Sequence, residues 1–377
     1  MEPTTIANIQ EPPELQIDLR FLLDKGTTTV EPQHSENLPL VAVGTKTNES
    51  VAHDTTATHS NIPSPRILGI ATLSFIFVAG ATLSFSYFNE PVVRQRVAAE
   101  QAAAVVVAVD TSAFQNLAIQ AQSAYVYDLK TQQPLFALNP DEERPLASLT
   151  KVAMALVVSE VLRPDANITI PQDTAPAGAF ERLRRGDVWH EQDLMNFTLI
   201  ASNNAGADIL SAAANDGIHA KYPLSPATSS VVWRMNDLVQ SLGVSTMHFV
   251  NDNGLDVSTS QSGGYGTARG VATLLGYAAS TSLSVFAYTV RNDDVFTSVN
   301  GHTATAINTN TALGSIPGIV MGKTGYTDLA GGNLAVVFDV GPSHPVVAVV
   351  MGSTQEGRFE DMKRLVAATI ASITASK

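Results

Sequence analysis

Ser148 and Lys151 stand three positions apart at the head of an apolar run with helical spacing, which puts a hydroxyl and an amine on one face, about one turn apart. A serine hydroxyl is a weak nucleophile until a base takes its proton. An uncharged lysine can be that base when burial or a second cation lowers its pKa. No other lysine in the chain has a serine three positions before it. Ser202 and Asn204, directly ahead of an Ala-rich helical run, offer a hydroxyl able to relay protons and an amide able to hydrogen-bond a substrate amide. The pattern is cheap, because Ser35 with Asn37 and Ser298 with Asn300 repeat it. The first of these falls in a polar head and the second in a Thr/Asn-rich stretch that reads as loop. Lys323, Thr324 and Gly325, bracketed by Gly322 and Tyr326, present a point charge and a hydroxyl to a carboxylate, with a glycine that lets a substrate backbone come close.

The elements that must position these groups follow from periodicity. Ala124 to Asp128 and Pro134 to Leu138 are short β-type runs around a turn at Lys130 to Gln133, which predicts a hairpin. Helical spacing follows Ser148 through Leu162, and recurs at Glu191 to Ile200, Ala205 to Ala214, Trp233 to Leu242 and Thr267 to Ser280. Leu334 to Asp339 and Pro345 to Met351 predict a second antiparallel pair, closed by a helix from about Arg358 to Ser376. Strands first and last with helices between them predict an α+β domain whose antiparallel sheet joins both ends, with flanking helices and a helical subdomain.

The chain has 377 residues, no cysteine and a formal net charge of −13. That balance, without a clustered basic surface, argues against nucleic acid as a partner. The absence of cysteine removes thiol catalysis, disulfides and thiolate metal sites together. Residues 1–66 are rich in Thr, Pro, Glu, Asn and Ser and read as a disordered acidic tail. Residues 67–88 carry no charged side chain and are long enough to cross a hydrocarbon core of roughly 30 Å as one helix. Residues 89–120 read as a linker, in which Ala98 to Ala104 could host cleavage, and 121–377 as the folded domain. Arg66 flanks one end of the apolar segment and Arg94 and Arg96 the other, so charge alone slightly favours the folded body being inside.

Taken together, the three motifs in this order resemble the penicillin-binding protein and serine β-lactamase superfamily. More closely, Pro145 to Leu156, Leu183 to Asp208, Phe249 to Asp256 and Gly318 to Ala335 are similar to the D-alanyl-D-alanine carboxypeptidase family, over roughly residues 120 to 377. The resemblance implies a β-lactamase/transpeptidase-like fold and a serine-type carboxypeptidase acting on peptidoglycan stem peptides, with β-lactams as covalent inhibitors and no metal or organic cofactor. Ser148 would be the acylated nucleophile, Lys151 the base, and Ser202 and Asn204 the flank of the cleft. Lys323 and Thr324 would hold the terminal carboxylate of the substrate, and an extended peptide would pair beside Gly325. The backbone N–H groups of Ser148 and Tyr326 would form the oxyanion hole. Because murein lies outside the cytoplasmic membrane, the same resemblance places the folded body outside and the tail in the cytoplasm, against the charge bias.

This sequence departs from the family pattern at Tyr326, where many members carry histidine, and at Asn203, where Gly or Asp is frequent. No Glu-x-x-x-Asn segment of the kind that positions a deacylating water follows Asn204, so bound penicillin is expected to stay attached for long. Three rivals remain: a D,D-endopeptidase, a catalytically inactive wall-peptide-binding protein, and a membrane sensor signalling through the acidic tail. Other candidate sites fare worse. His190 and Glu191 start like a zinc-protease helix, but Leu194 occupies the place of the second histidine. Trp189 and Trp233 read as packing residues, and Gly263, Gly264 and Gly266 as a flexible loop at the cleft rim. The sequence leaves oligomeric state open.

Overall fold

The computed structural model describes residues 111–172 and 182–375, all within one compact unit. The tail, the apolar segment 67–88 and the linker up to residue 110 lie outside the described residues. Among the described residues no single helix is long and apolar enough to cross a membrane.

One five-stranded antiparallel sheet organises the domain. Its strands are β1 (Ser123–Asp128), β2 (Gln133–Leu138), β10 (Ile319–Thr327), β11 (Gly331–Asp339) and β12 (Pro345–Ser353), in the order β10-β11-β12-β1-β2. The two ends of the folded domain therefore meet at the β1–β12 ladder, with Val126 opposite Ala348. Residues of β11 and β12 are buried almost throughout, as expected for strands covered on both faces. Alternation then divides the core. Ala335, Val337, Val347 and Val349 face the helical body, while Leu334, Val336, Val346 and Ala348 face the C-terminal helix α7 (Gly357–Ala375).

The helical body comprises α1 (Lys151–Ser159), α2 (Glu191–Ala201), α3 (Asn204–Lys221), α4 (Ser230–Ser241), α5 (Ala268–Thr281) and the single turn α6 (Leu283–Phe286). The caps explain two starts: the Asn203 side chain accepts from Gly206 N at the head of α3, and Thr267 accepts from Gly270 N at the head of α5. Small pairs complete the fold: β4 (Asn167–Thr169) with β5 (Val188–His190), and β8 (Asp293–Thr297) with β9 (Thr303–Ile307). A three-stranded sheet joins β3 (Arg144–Pro145), β7 (Gly264–Gly266) and β6 (His248–Phe249).

Three expectations are corrected. The folded domain begins before residue 121: Phe114 is buried and stacks on Phe136, and the Asp361 carboxylate accepts from both Gln120 N and Ala121 N at 2.8 Å. Those contacts bury Phe114 in the core and tie residues 111–120 to the surface of the folded domain. Gly264 and Gly266 are buried strand residues rather than a flexible rim loop, because β7 passes between β3 and β6 with no room for side chains. The Thr/Asn-rich stretch around Ser298 is the turn of the β8–β9 hairpin, whose alternating burial fits a half-exposed ribbon. Trp189 and Trp233 pack as expected, against Phe197 and Tyr222.

Candidate active site

The segment that carries Ser148 is held from three sides before its helix starts. Leu146 N donates to Gly264 O at 2.9 Å, and Asn333 Nδ2 on β11 donates to the carbonyls of Pro145 and Leu146 at 3.0 and 3.1 Å. Ala147 then turns with a φ of 48°, a left-handed conformation that is unfavourable for a residue with a Cβ and is maintained here by its surroundings. A short 3-10 turn, Ala147–Thr150, runs into α1, so Ser148 lies on the tight entry turn and Lys151 on the first α-helical turn. Two glycines permit the crowding. A Cβ on Gly254, whose φ is 82°, would sit 1.9 Å from the Ala147 carbonyl oxygen, and one on Gly325 would sit 2.9 Å from that of Leu146.

Lys151 Nζ lies 3.0 Å from Ser148 Oγ, donates to Asn204 Oδ1 at 2.7 Å and donates to the Asn253 carbonyl at 2.5 Å. The side chain is fully buried, and that desolvation lowers its pKa to about 7, with Asp208 and Asp252 opposing the shift. The geometry suits the neutral amine. Its two hydrogens go to Asn204 and Asn253, leaving the lone pair for the serine proton.

Ser202 caps α2 in the left-handed conformation, with φ 53° and ψ 37°, and this turns its hydroxyl toward β10. Lys323 Nζ donates to Ser202 Oγ at 2.7 Å and to the Thr324 carbonyl at 2.9 Å. Burial lowers the Lys323 pKa well below the usual lysine range, and the positive charges of Lys151 when protonated and of Arg358 push the same way. An incoming carboxylate would relieve that repulsion. The Thr324 hydroxyl meets that of Thr309. Gly325 lies on β10 opposite Asn333, and Tyr326, 44% exposed, stands at the open end of the strand. β10 is an edge strand of the sheet, so its outer side has no strand partner, although at Gly322 that edge is already met by Thr289 Oγ1, which accepts from Gly322 N at 3.2 Å.

The structure thus joins Ser148, Lys151 and Asn204 in one hydrogen-bonded cluster and Lys323 with Ser202 in another, with Gly325 packed against the Leu146–Ser148 turn and Thr324 and Tyr326 beside it on β10. Ser298 and Asn300 take no part: Ser298 Oγ accepts from His302 N, and Asn300 Oδ1 accepts from Val188 N. Several contributors had been given no role from sequence. Asn253 acts through a backbone carbonyl, which leaves no signature in residue type. Its amide donates to Asp208 Oδ1 at 2.6 Å. Asp208 itself follows Asn204 by four positions on α3, a helical spacing that could have exposed it. Arg358 donates to Gly325 O at 2.6 Å from behind β10, and Asp256 accepts from Thr327 Oγ1 at 3.0 Å, tying the strand end to the loop after β6.

A half-buried serine on the entry turn and a buried lysine on the helix it leads into, beside an antiparallel sheet, fit a serine peptidase of the penicillin-binding class. Residues 109–355 match the family model of D-alanyl-D-alanine carboxypeptidases, and the chain belongs to that family. It is 29% identical to the D-alanyl-D-alanine endopeptidase of Escherichia coli K12, over 71% of this chain and 82% of that protein. A D-alanyl-D-alanine carboxypeptidase of Mycobacterium tuberculosis is 28% identical over 63% of this chain and 77% of its own length. Among solved structures, penicillin-binding protein D2 of Listeria monocytogenes in its cefotaxime-bound form superposes with a TM-score of 0.56 at 27% identity, covering 67% of this chain and 98% of that one.

Proposed function

We propose that this chain removes the terminal D-alanine from peptidoglycan stem peptides through an acyl-enzyme on Ser148. The observation that carries this reading is the Lys151 amine, brought near neutrality by burial and held 3.0 Å from the Ser148 hydroxyl. In the first step Lys151 takes the Ser148 proton as Oγ attacks the penultimate carbonyl. The oxyanion forms against the Ser148 and Tyr326 N–H groups, which lie on neighbouring segments because β10 runs beside the nucleophile turn. The peptide C–N bond then breaks, the leaving amine takes up a proton and D-alanine departs. Water hydrolyses the ester. Lys323, with Ser202 and Thr324, receives the terminal carboxylate, and Asn204 serves both the amine and the substrate amide.

β-Lactams would acylate the same hydroxyl, as the cefotaxime-bound Listeria relative suggests. Mass spectrometry of penicillin-treated protein tests the assignment. One adduct on wild type and none on Ser148→Ala is expected, and an adduct that survives the substitution would move the nucleophile elsewhere. A second reading, cleavage of cross-links, is favoured by the endopeptidase relative. Free D-alanine among murein digestion products supports the first reading, and shortened cross-linked dimers support the second.

The same reading places residues 67–88 in the membrane as a single helix, the catalytic domain outside and the acidic tail 1–66 in the cytoplasm. What supports it is the uncharged segment and a substrate located outside the membrane. An impermeant reagent applied to intact cells should label a cysteine engineered on the domain surface, and protection there would refute the orientation.

A further inference from the structure

A second cavity, of about 290 Å³, opens where the C-terminal end of α1, the first turns of α2 and the junction of α5 with α6 meet. That volume lies near the lower end of the range for small-molecule pockets, roughly 300–1,000 Å³. Glu191, at the first position of α2, lines it and is only 5% exposed. Its carboxylate has no hydrogen-bond or ion-pair partner among the described residues, and desolvation alone raises its pKa to about 7. Asn196, 3% exposed, lines the same space, and its side-chain amide is also without a partner among the described residues. Both side chains keep polar atoms open toward one cavity, where only solvent or a ligand can satisfy them.

The lining selects the ligand. It contains no Lys, Arg or His, so nothing in it would attract an anion. One carboxylate is too few for a divalent metal, which takes several hard oxygen ligands. Met195, Leu162, Pro164 and Val285 give part of the wall an apolar surface, and Ser159, Gln192, Thr281, Ser282 and Ser284 add uncharged polar groups. A single negative charge, neutral groups that can accept, and an apolar patch together match a monovalent organic cation of modest size.

We propose that this cavity binds a small alkylammonium ion, with the ammonium seated between the Glu191 carboxylate and the Asn196 carbonyl and the alkyl chain against Met195 and Val285. The site is separate from the peptidase cleft: Glu191 begins α2, whereas Ser202 follows its last residue. The ligand would supply the counter-charge the carboxylate lacks. Because only the ionised carboxylate attracts the cation, occupancy should rise as the pH passes about 7.

The test uses the full-length protein with carbon-13-labelled methionine methyls, the Met195 resonance being identified by its loss in Met195→Leu. Butylammonium chloride added at about pH 8, with sodium chloride at matched ionic strength as the reference, should shift that resonance saturably. n-Butanol, similar in shape and uncharged, should not. The affinity should fall by roughly tenfold or more in Glu191→Gln and at about pH 5. Val285→Trp, which fills the cavity from α6 and keeps the carboxylate, should abolish the shift. No saturable shift in the wild-type protein, equal affinity in Glu191→Gln, or undiminished binding in Val285→Trp would each overturn the proposal.

Discussion

Lys151 and Glu191 are buried ionisable groups that desolvation brings to about the same pKa from opposite directions, 10.5 down to about 7 and 4.5 up to about 7. Their surroundings differ. Lys151 meets a hydroxyl, a side-chain amide oxygen and a backbone carbonyl, each placed by a different element. Glu191 meets open cavity. The same burial therefore gives a poised base in one place and an uncompensated charge in the other. What separates them is preorganisation: the partners of Lys151 are held whether or not it is charged, so losing its proton leaves no buried group stranded.

The largest effect should come from removing the poised group. Lys151→Met keeps most of the buried volume and deletes the base. Acylation by penicillin should slow by roughly a thousandfold, within the range seen for general bases, while the protein stays folded. In the wild type the acylation rate should climb as pH rises through about 7, because Lys151 must lose its proton to act. Stopped-flow acylation across that range measures both. A rate independent of pH would show that the amine is not the base and would dissolve the contrast with Glu191.

Glu191→Gln should leave acylation unaltered and change stability instead. A carboxyl whose pKa rises from 4.5 unfolded to about 7 folded contributes no penalty below the unfolded value. It destabilises the fold increasingly as pH rises through the folded value, by on the order of 3 kcal/mol once fully ionised. The glutamine variant lacks that loss. Urea unfolding of both proteins should therefore coincide near pH 4 and diverge toward pH 8, with the variant the more stable. Equal midpoints at every pH would mean that the carboxylate already has a counter-charge.

Much of the architecture was legible because its signals are local. The hairpin at the start, the apolar pair β11 and β12 and the closing helix appear within one to three residues of their predicted places, and the sheet joins the two ends of the folded domain as the order of elements implied. Ser148 with Lys151 was readable because the two partners lie within one turn, whereas Ser202 and Asn204 were readable only as neighbours in sequence, since their partners Lys323 and Lys151 come from distant segments. The rest is tertiary. Strand β10 is rich in glycine, and its triplet was placed at a strand edge without the strand itself being predicted. β9 alternates Thr with Ala and β8 opens on two aspartates, so the hairpin reads as loop until its buried face is seen. The Asn253 carbonyl and the cavity beside Glu191 exist only once distant segments meet.

The smallest predicted effect concerns the departure from the family pattern at Asn203. Its side chain caps α3, accepting from Gly206 N at 2.7 Å, and this helix carries Asn204 at its first position. Aspartate could accept the same bond and would add a favourable charge at a helix N-terminus, which explains why it could stand there. Asn203→Asp should therefore leave stability and acylation close to wild type. Asn203→Ala should cost about 1 kcal/mol, read as a lowered urea midpoint with unchanged slope. Because α3 also packs against α2 and α4, the loss of one cap should not release Asn204 from Lys151, and acylation should fall less than twofold. A larger fall, with stability unchanged, would show that Asn203 acts on the chemistry of the cleft rather than on the helix that borders it.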